Sequence, residues 1–249
     1  MTGPRLANKT AVVTGATAGI GLAIARRLAA EGAFTYLTGR REPQLDQAVA
    51  SIGANVAGVR ADSASPADLD ELYARIAADH RRLDVLVASA ADGGTATLEQ
   101  TSAKHLDSVF GTNVTGTVFT VQKALPLLND GASVILIGSV AADGGNQGYG
   151  AYAASKAAVR SFARTWASEL SGRGIRVNVI TPGVVDTPGL AASAPVPVAQ
   201  LRAAMAASIP LGRVADPAEI ASVALFLASG DSSYITGTSI YADGGQRQV

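Results

Sequence analysis

The amino-acid sequence predicts an α/β fold in a single domain: a seven-stranded parallel sheet, doubly wound with helices on both faces. Three observations predict it. Short apolar runs alternate with longer amphipathic ones along nearly the whole chain. The short runs are continuously apolar rather than alternating, which marks strands buried on both faces. The first of them passes through a glycine-rich turn straight into a helix. With 249 residues, 48% of them hydrophobic and 16% charged, the chain can bury one sizeable core, and no linker divides it.

The predicted strands are TAVVTG at 10–15, AFTYLTG at 33–39, ANVAGVR at 54–60, LDVLVAS at 83–89, ASVILIG at 132–138, IRVNVIT at 175–181 and TSIYA at 238–242. All are rich in Val and Ile and bounded by Gly, Asp or Pro. Between them, helical periodicity runs over 20–31, 44–52, 66–80, 106–127, 152–171 and 217–228. Right-handed crossovers between parallel strands then give a Rossmann-like sheet, whose ligands lie beyond the carboxyl ends of the strands. The stretch 187–210, rich in proline and alanine, interrupts the repetition. It reads as a lid or substrate loop with a short helix at 198–207, the alternative being a surface excursion.

Composition excludes several function classes. Twenty basic residues balance twenty acidic ones, with no block of like charge, so nothing draws the chain to nucleic acid or an anionic membrane. The absence of cysteine excludes disulfides and thiolate metal sites. The opening MTGPRLANKT has no apolar core of a signal peptide, and no apolar run approaches the ~18 residues of a membrane span. The expectation is a soluble cytoplasmic protein.

Beyond the first strand the sequence reads TGATAGIG at 14–21. Gly15, Gly19 and Gly21 allow a tight turn, close backbone approach and close helix packing, and the helix N-terminus offers amide hydrogens and a positive dipole to a pyrophosphate. Thr17 and Ile20, in the same turn, join the glycines as candidate cofactor contacts. The end of the second strand, TYLTGRRE, selects the coenzyme: an NAD site usually has a carboxylate there for the ribose hydroxyls, whereas a 2′-phosphate needs a cation. Here Gly39 stands at that place, followed by Arg40 and Arg41. NADP(H) is predicted, the alternative being a solvated arginine pair.

The segment GYGAYAASK at 148–156 carries two tyrosines and a lysine. On a helix, Tyr152 and Lys156 stand at i and i+4 on one face, while Tyr149 is seven residues from the lysine. A nearby ammonium stabilises a phenolate, so Tyr152 is the candidate acid–base group.

Together with Asn113 in FGTNVTG, Ser139 after ASVILIG and Pro182-Gly183 after VNVIT, these motifs resemble the short-chain dehydrogenase/reductase family of single-domain oxidoreductases, from about Lys9 to the closing YADGG. The resemblance implies interconversion of a ketone or aldehyde with a secondary alcohol by hydride transfer. Tyr152 would be general acid or base, Lys156 would hold the nicotinamide ribose and favour the phenolate, Ser139 would bind the substrate oxygen and Asn113 would position a proton-relaying water. Asp62, with Ser63 beside it, matches the position that meets adenine, or else caps the helix entered at Pro66 or its preceding turn. Pro182, Gly183, Val185 and Thr187 match the nicotinamide side. Where the family has Asn-Ala-Gly, this chain reads Ser89-Ala90-Ala91, and alanine does not take a positive φ as cheaply as glycine. The resemblance further implies a homodimer or homotetramer, with the helices of Asn113 and Tyr152 packed against a second subunit.

The remaining residues read as structural. His80 and His105 stand far apart among polar neighbours and suggest no metal site. Val159, Phe162 and Trp166 read as a buried stripe and Asn178 as a structural side chain; Tyr149 either shapes the substrate pocket or simply packs. Residues 93–97, 141–148 and 191–208 are expected to line that pocket. Two rivals stay open: a nucleotide-binding regulator without turnover, and a dehydratase or isomerase on the same scaffold.

Overall fold

A computed structural model describes residues 3–192 and 197–249. Residues 193–196 of the expected lid lie outside the described residues.

Seven strands, β1 (Thr10–Val13), β2 (Phe34–Gly39), β3 (Val56–Arg60), β4 (Leu83–Ala88), β5 (Leu128–Ile137), β6 (Arg176–Pro182) and β7 (Ser239–Ala242), form one sheet in the order β3-β2-β1-β4-β5-β6-β7. Every pairing is parallel. Helices α1 (Gly19–Ala30), α2 (Glu42–Ile52), α3 (Pro66–Ala78), α4 (Ala103–Phe110), α5 (Gly116–Ala124), α6 (Gly150–Glu169), α7 (Pro188–Ala192), α8 (Val198–Ala206) and α9 (Pro217–Ala228) connect them.

Successive residues of β1 show why the strands read as unbroken apolar runs. Ala11 and Val13 enter a core with Ile24 and Leu28 of α1 and Leu225 of α9. Val12, between them, enters a second core with Leu72 and Ile76 of α3 and Val159 of α6. A strand covered on both sides has no polar face to alternate with. The order of strands reverses between β1 and β4, whose neighbouring connections leave on opposite faces, and that switch point opens a cleft at the carboxyl ends.

The structure departs from the expected elements in four places. The long helix at 106–127 is two helices joined by a π-helical turn, Gly111–Thr115, with Asn113 buried inside it. The Thr117 hydroxyl donates to the Asn113 carbonyl at 2.8 Å, bracing the widened turn against α5. β5 begins at Leu128, four residues early, because Leu128 pairs with Leu83 across a register shift. α3 stops at Ala78, with His80 beyond it at φ 53, an exposed turn residue rather than a helical one. The buried stripe of α6 is Val159, Ala163 and Ala167; Phe162 and Trp166 stack on each other, ring centroids 5.0 Å apart, and are only half-buried.

Candidate active site

The phosphate-type turn leaves β1 at Thr14. Gly15 and Gly19 have φ of 62° and 56°, a region costly for other residues, so the turn needs glycine at both. A Cβ on Gly21 would lie 2.4 Å from the Gly15 carbonyl oxygen, so α1 can start this close only without a side chain there. The Ala16 N–H donates to the Thr38 carbonyl at 2.9 Å, tying the turn to β2, and Ile20 packs half-buried against the α1–α9 core. At the end of β2, a Cβ on Gly39 would meet Cγ2 of Thr17 at 2.3 Å, so any side chain there requires the threonine to move.

Arg40 and Arg41 are both exposed, the second immediately ahead of α2. The Arg40 guanidinium leans toward Asp62 at 3.8 Å, so the residues assigned to the ribose phosphate and the adenine share one rim of the cleft. Asp62 does not cap α3. Its carboxylate accepts the Ala64 N–H at 3.0 Å, and Ser65 is the cap. Ser63 is buried, its carbonyl close against Gly116.

Ser89 and Ala90 are held by a residue the sequence reading passed over. The Thr14 hydroxyl accepts both their N–H groups, at 3.1 and 3.3 Å, bridging β1 and β4 across the switch point. The Ala90 backbone sits against Gly15, where a Cβ would come within 2.7 Å of its Cα. Ala91 is not among the residues with positive φ, so the alanine in place of glycine carries no left-handed strain.

Ser139 follows β5 and opens a 3-10 turn, Val140–Asp143, its hydroxyl accepting the Ala141 N–H at 3.1 Å. α6 begins at Gly150, with Tyr149 as its first flanking residue. Tyr149 and Tyr152 meet edge to face, ring centroids 6.1 Å apart, while the Ala96 N–H donates to the Gly148 carbonyl at 2.9 Å and joins two of the expected pocket segments. Lys156 is buried; its ammonium donates to the Ile137 carbonyl at 2.9 Å and lies 5.7 Å from the centre of the Tyr152 ring.

One expectation needs correcting here. The lysine faces the ring and a carbonyl, and the Tyr152 pKa is raised rather than lowered, because burial penalises the phenolate, only partly offset by a hydrogen bond from Ser139. The same burial lowers Lys156 from 10.5 to about 8.

Asn113 completes the group from the π turn. Its Oδ1 accepts the Asp92 N–H at 2.7 Å, and its Nδ2 donates to the Asp92 carbonyl and the Ser155 hydroxyl, both at 3.0 Å. Ser155 in turn donates to the Tyr152 carbonyl at 2.7 Å. Neither Asp92 nor Ser155 was singled out from the sequence, although Ser155 lies inside the YAASK motif itself.

Pro182, at the end of β6, pairs with Ala242, and Gly183 approaches Asp243 so closely that a Cβ would lie 2.8 Å from its Cα. Val185 is buried beside Ala215, and Thr187 sets its methyl against Gly19, 3.2 Å from where a Cβ would stand. Arg202 of α8 pairs with Asp186 at 2.7 Å. Asn178 bonds the Ile235 carbonyl and the Thr238 N–H, a structural role. Among the described residues no cluster of His, Asp or Glu could hold a metal ion, and no helix is long and apolar enough to cross a membrane.

The residues fit a dinucleotide: a glycine cradle closed by backbone on one flank, a cationic rim, and a tyrosine, serine and lysine at the far end. The sequence model of a family described as enoyl-(acyl carrier protein) reductase matches residues 15–247. The chain is 42% identical to oxidoreductase asL5 of Sarocladium schorii over 247 residues, 98% of each chain. It is 36% identical to the 3-oxoacyl-[acyl-carrier-protein] reductase FabG of Thermotoga maritima, over 97% of this chain and 98% of that one. A Brucella melitensis crystal structure described as a short-chain dehydrogenase/reductase of glucose/ribitol dehydrogenase type superposes with a TM-score of 0.94, at 31% identity and full coverage of both chains. This chain belongs to the short-chain dehydrogenase/reductase family of oxidoreductases.

Proposed function

We propose that the protein is an NADP(H)-dependent oxidoreductase that interconverts a ketone or aldehyde with a secondary alcohol, Tyr152 serving as the acid or base. The observation that carries this reading is the convergence of Ser139, Tyr152 and buried Lys156 beyond the ends of β5 and β6, joined to Asn113 through Ser155.

When bound, the nicotinamide supplies or accepts the hydride. Gly15, Thr17, Gly19, Ile20 and Gly21 would hold the pyrophosphate, and Arg40 and Arg41 the 2′-phosphate. Asp62, Ser63, Ser89, Ala90 and Ala91 would border the adenosine, with Pro182, Gly183, Val185 and Thr187 on the nicotinamide side. Gly39 supports the NADP choice, since Thr17 fills the place of a carboxylate.

In reduction, negative charge develops on the substrate oxygen, and hydroxyl donors from Ser139 and Tyr152 stabilise it more in the transition state than before. The raised pKa keeps Tyr152 protonated at neutral pH, ready to give its proton to that oxygen. Lys156, held by the Ile137 carbonyl beside the ring, replaces the positive charge that a departing phenolic proton takes away. Asn113, fixed on three hydrogen bonds, would position a relaying water. The segment 187–210 would serve as the lid, its helix α8 tied by Arg202 to Asp186. The likeness to 3-oxoacyl-[acyl-carrier-protein] reductases makes 3-oxo thioesters the first substrates to try. We place the protein in the cytoplasm as a homodimer or homotetramer, an assembly that would cover the half-exposed Phe162–Trp166 stack of α6.

Mixing the protein with NADPH and a panel of ketones and 3-oxo thioesters tests the reading through the fall in absorbance of the reduced coenzyme. Tyr152→Phe should remove turnover by about 10²-fold or more and leave coenzyme binding unchanged, whereas Tyr149→Phe should spare most activity. No oxidation of NADPH by any carbonyl would point instead to a regulator.

A further inference from the structure

The reading of coenzyme choice places it at the end of β2, yet the geometry there involves a residue from another element. Thr17 belongs to the phosphate turn and Gly39 to β2, and a Cβ on Gly39 would lie 2.3 Å from the Thr17 Cγ2. Carbon atoms in contact stand about 3.5–4.0 Å apart, so the overlap is severe. The hydrogen bond between Ala16 and Thr38 locks the two backbones together one residue away, so neither can yield by itself. Of the two other staggered rotamers of the half-buried threonine, one brings the hydroxyl into the same place and the other turns the hydrogen there, so relief requires Thr17 to leave the rotamer it holds. Its Cβ and Oγ1 stand 3.6 Å from the Gly39 position, an ordinary contact, so the methyl alone is the obstruction.

We infer that Thr17 is a specificity-determining residue for the coenzyme: its methyl holds position 39 to glycine and so keeps out the carboxylate that an NAD-type ribose site requires. The inference rests on the NADP(H) reading above and deepens it. Discrimination against NADH then lies in the Thr17–Gly39 pair together with Arg40, and a substitution at position 39 alone cannot convert it.

Calorimetric titration of NADPH and NADH into the full-length protein, with no substrate present, tests this on four forms: the unchanged protein, Thr17→Ser, Gly39→Asp and the double variant. Thr17→Ser removes only the methyl, and its two dissociation constants set the background against which the double variant is read. Gly39→Asp should weaken NADPH through repulsion of the 2′-phosphate and gain nothing for NADH. The double variant should bind NADH about tenfold or more tightly than Gly39→Asp does, as one charged hydrogen bond to the ribose hydroxyls warrants. An equal gain in Gly39→Asp alone, or none in the double variant, would overturn the inference. Should Gly39→Asp not fold, Gly39→Ala replaces it: it should weaken NADPH binding, and adding Thr17→Ser should restore it, failure of the restoration again overturning the role of the methyl. Equal binding of NADH and NADPH by the unchanged protein would overturn the NADP(H) reading itself, and relief by Thr17→Ser would still identify the steric block.

Discussion

Replacing Asn113 by alanine removes three hydrogen bonds from a fully buried position. Two of the abandoned partners are the N–H and C=O of Asp92, and the third is the Ser155 hydroxyl, which keeps its bond to the Tyr152 carbonyl. A buried group left without a partner costs about 1–3 kcal/mol. Asp92 is only half-buried, so water recovers part of the loss, and Ser155 loses only one of two bonds. The sum for Asn113→Ala is about 2–4 kcal/mol. Urea unfolding should show it as a lower midpoint at unchanged slope. The coupling to Ser155 sharpens the test: in a double-mutant cycle with Ser155→Ala, the two losses should fall short of additivity by about 0.5–1.5 kcal/mol, the value of one hydrogen bond. Additive losses, or a cost for Asn113→Ala below about 1 kcal/mol, would refute the claim that this side chain ties the π turn to the loop after β4 and to α6.

Four other outcomes are expected. Arg40→Ala should raise the KM for NADPH about tenfold or more and leave that for NADH nearly unchanged, as the loss of a charge-assisted phosphate contact predicts; steady-state kinetics with both coenzymes decides it. Because burial holds Lys156 at about 8, kcat/KM for reduction should fall as pH rises through about 8, and a profile flat through that range would contradict it. The same depression acts oppositely on stability: between pH about 8 and 10.5 the unfolded chain binds more protons, so the contribution of Lys156 becomes more favourable as pH rises through that window. Glu219 is held at about 2 by hydrogen bonds from Arg213 and the Asp216 N–H. Its folded pKa lies below the unfolded value, so its stabilisation is complete above about 4.5 and lost as pH falls toward 2. Glu219→Gln should therefore be less stable at pH 7 and lose less on acidification, read by thermal unfolding at both pH values.

Much of the architecture was legible because strands covered on both faces write themselves as unbroken apolar runs, whereas the partly buried edge strands β3 and β7 were legible from the turn residues that bound them. The breaks were less legible. Nothing in the periodicity around Asn113 announces a π turn, since one widened turn shifts the phase of a helix without changing its composition. Phe162 and Trp166 misled because a helix spacing of four shows that residues share a face, not which face is turned inward; the small residues Ala163 and Ala167 are the ones against the sheet. At the site, the residues of the recognisable motifs were readable, and their supports were not. Thr14, Asp92 and Ser155 act through two hydrogen bonds each, to backbone or to a side chain, which leave no pattern in a sequence. The Tyr152–Lys156 spacing was right about proximity and wrong about the direction of the phenol pKa, because spacing says nothing of desolvation.

The two sides of the nucleotide cleft are built to different strengths. Toward the centre of the sheet, the Thr14 hydroxyl gathers two amides and Gly15 rests backbone to backbone on Ala90, so that wall cannot part without breaking the sheet. Opposite it, the Gly19 position meets the Thr187 side chain, and an exposed ion pair, Arg202–Asp186, joins α8 to the chain after β6. Opening should therefore begin on that side, and added salt, by screening the exterior ion pair, should speed the release of a bound dinucleotide there while the sheet side holds.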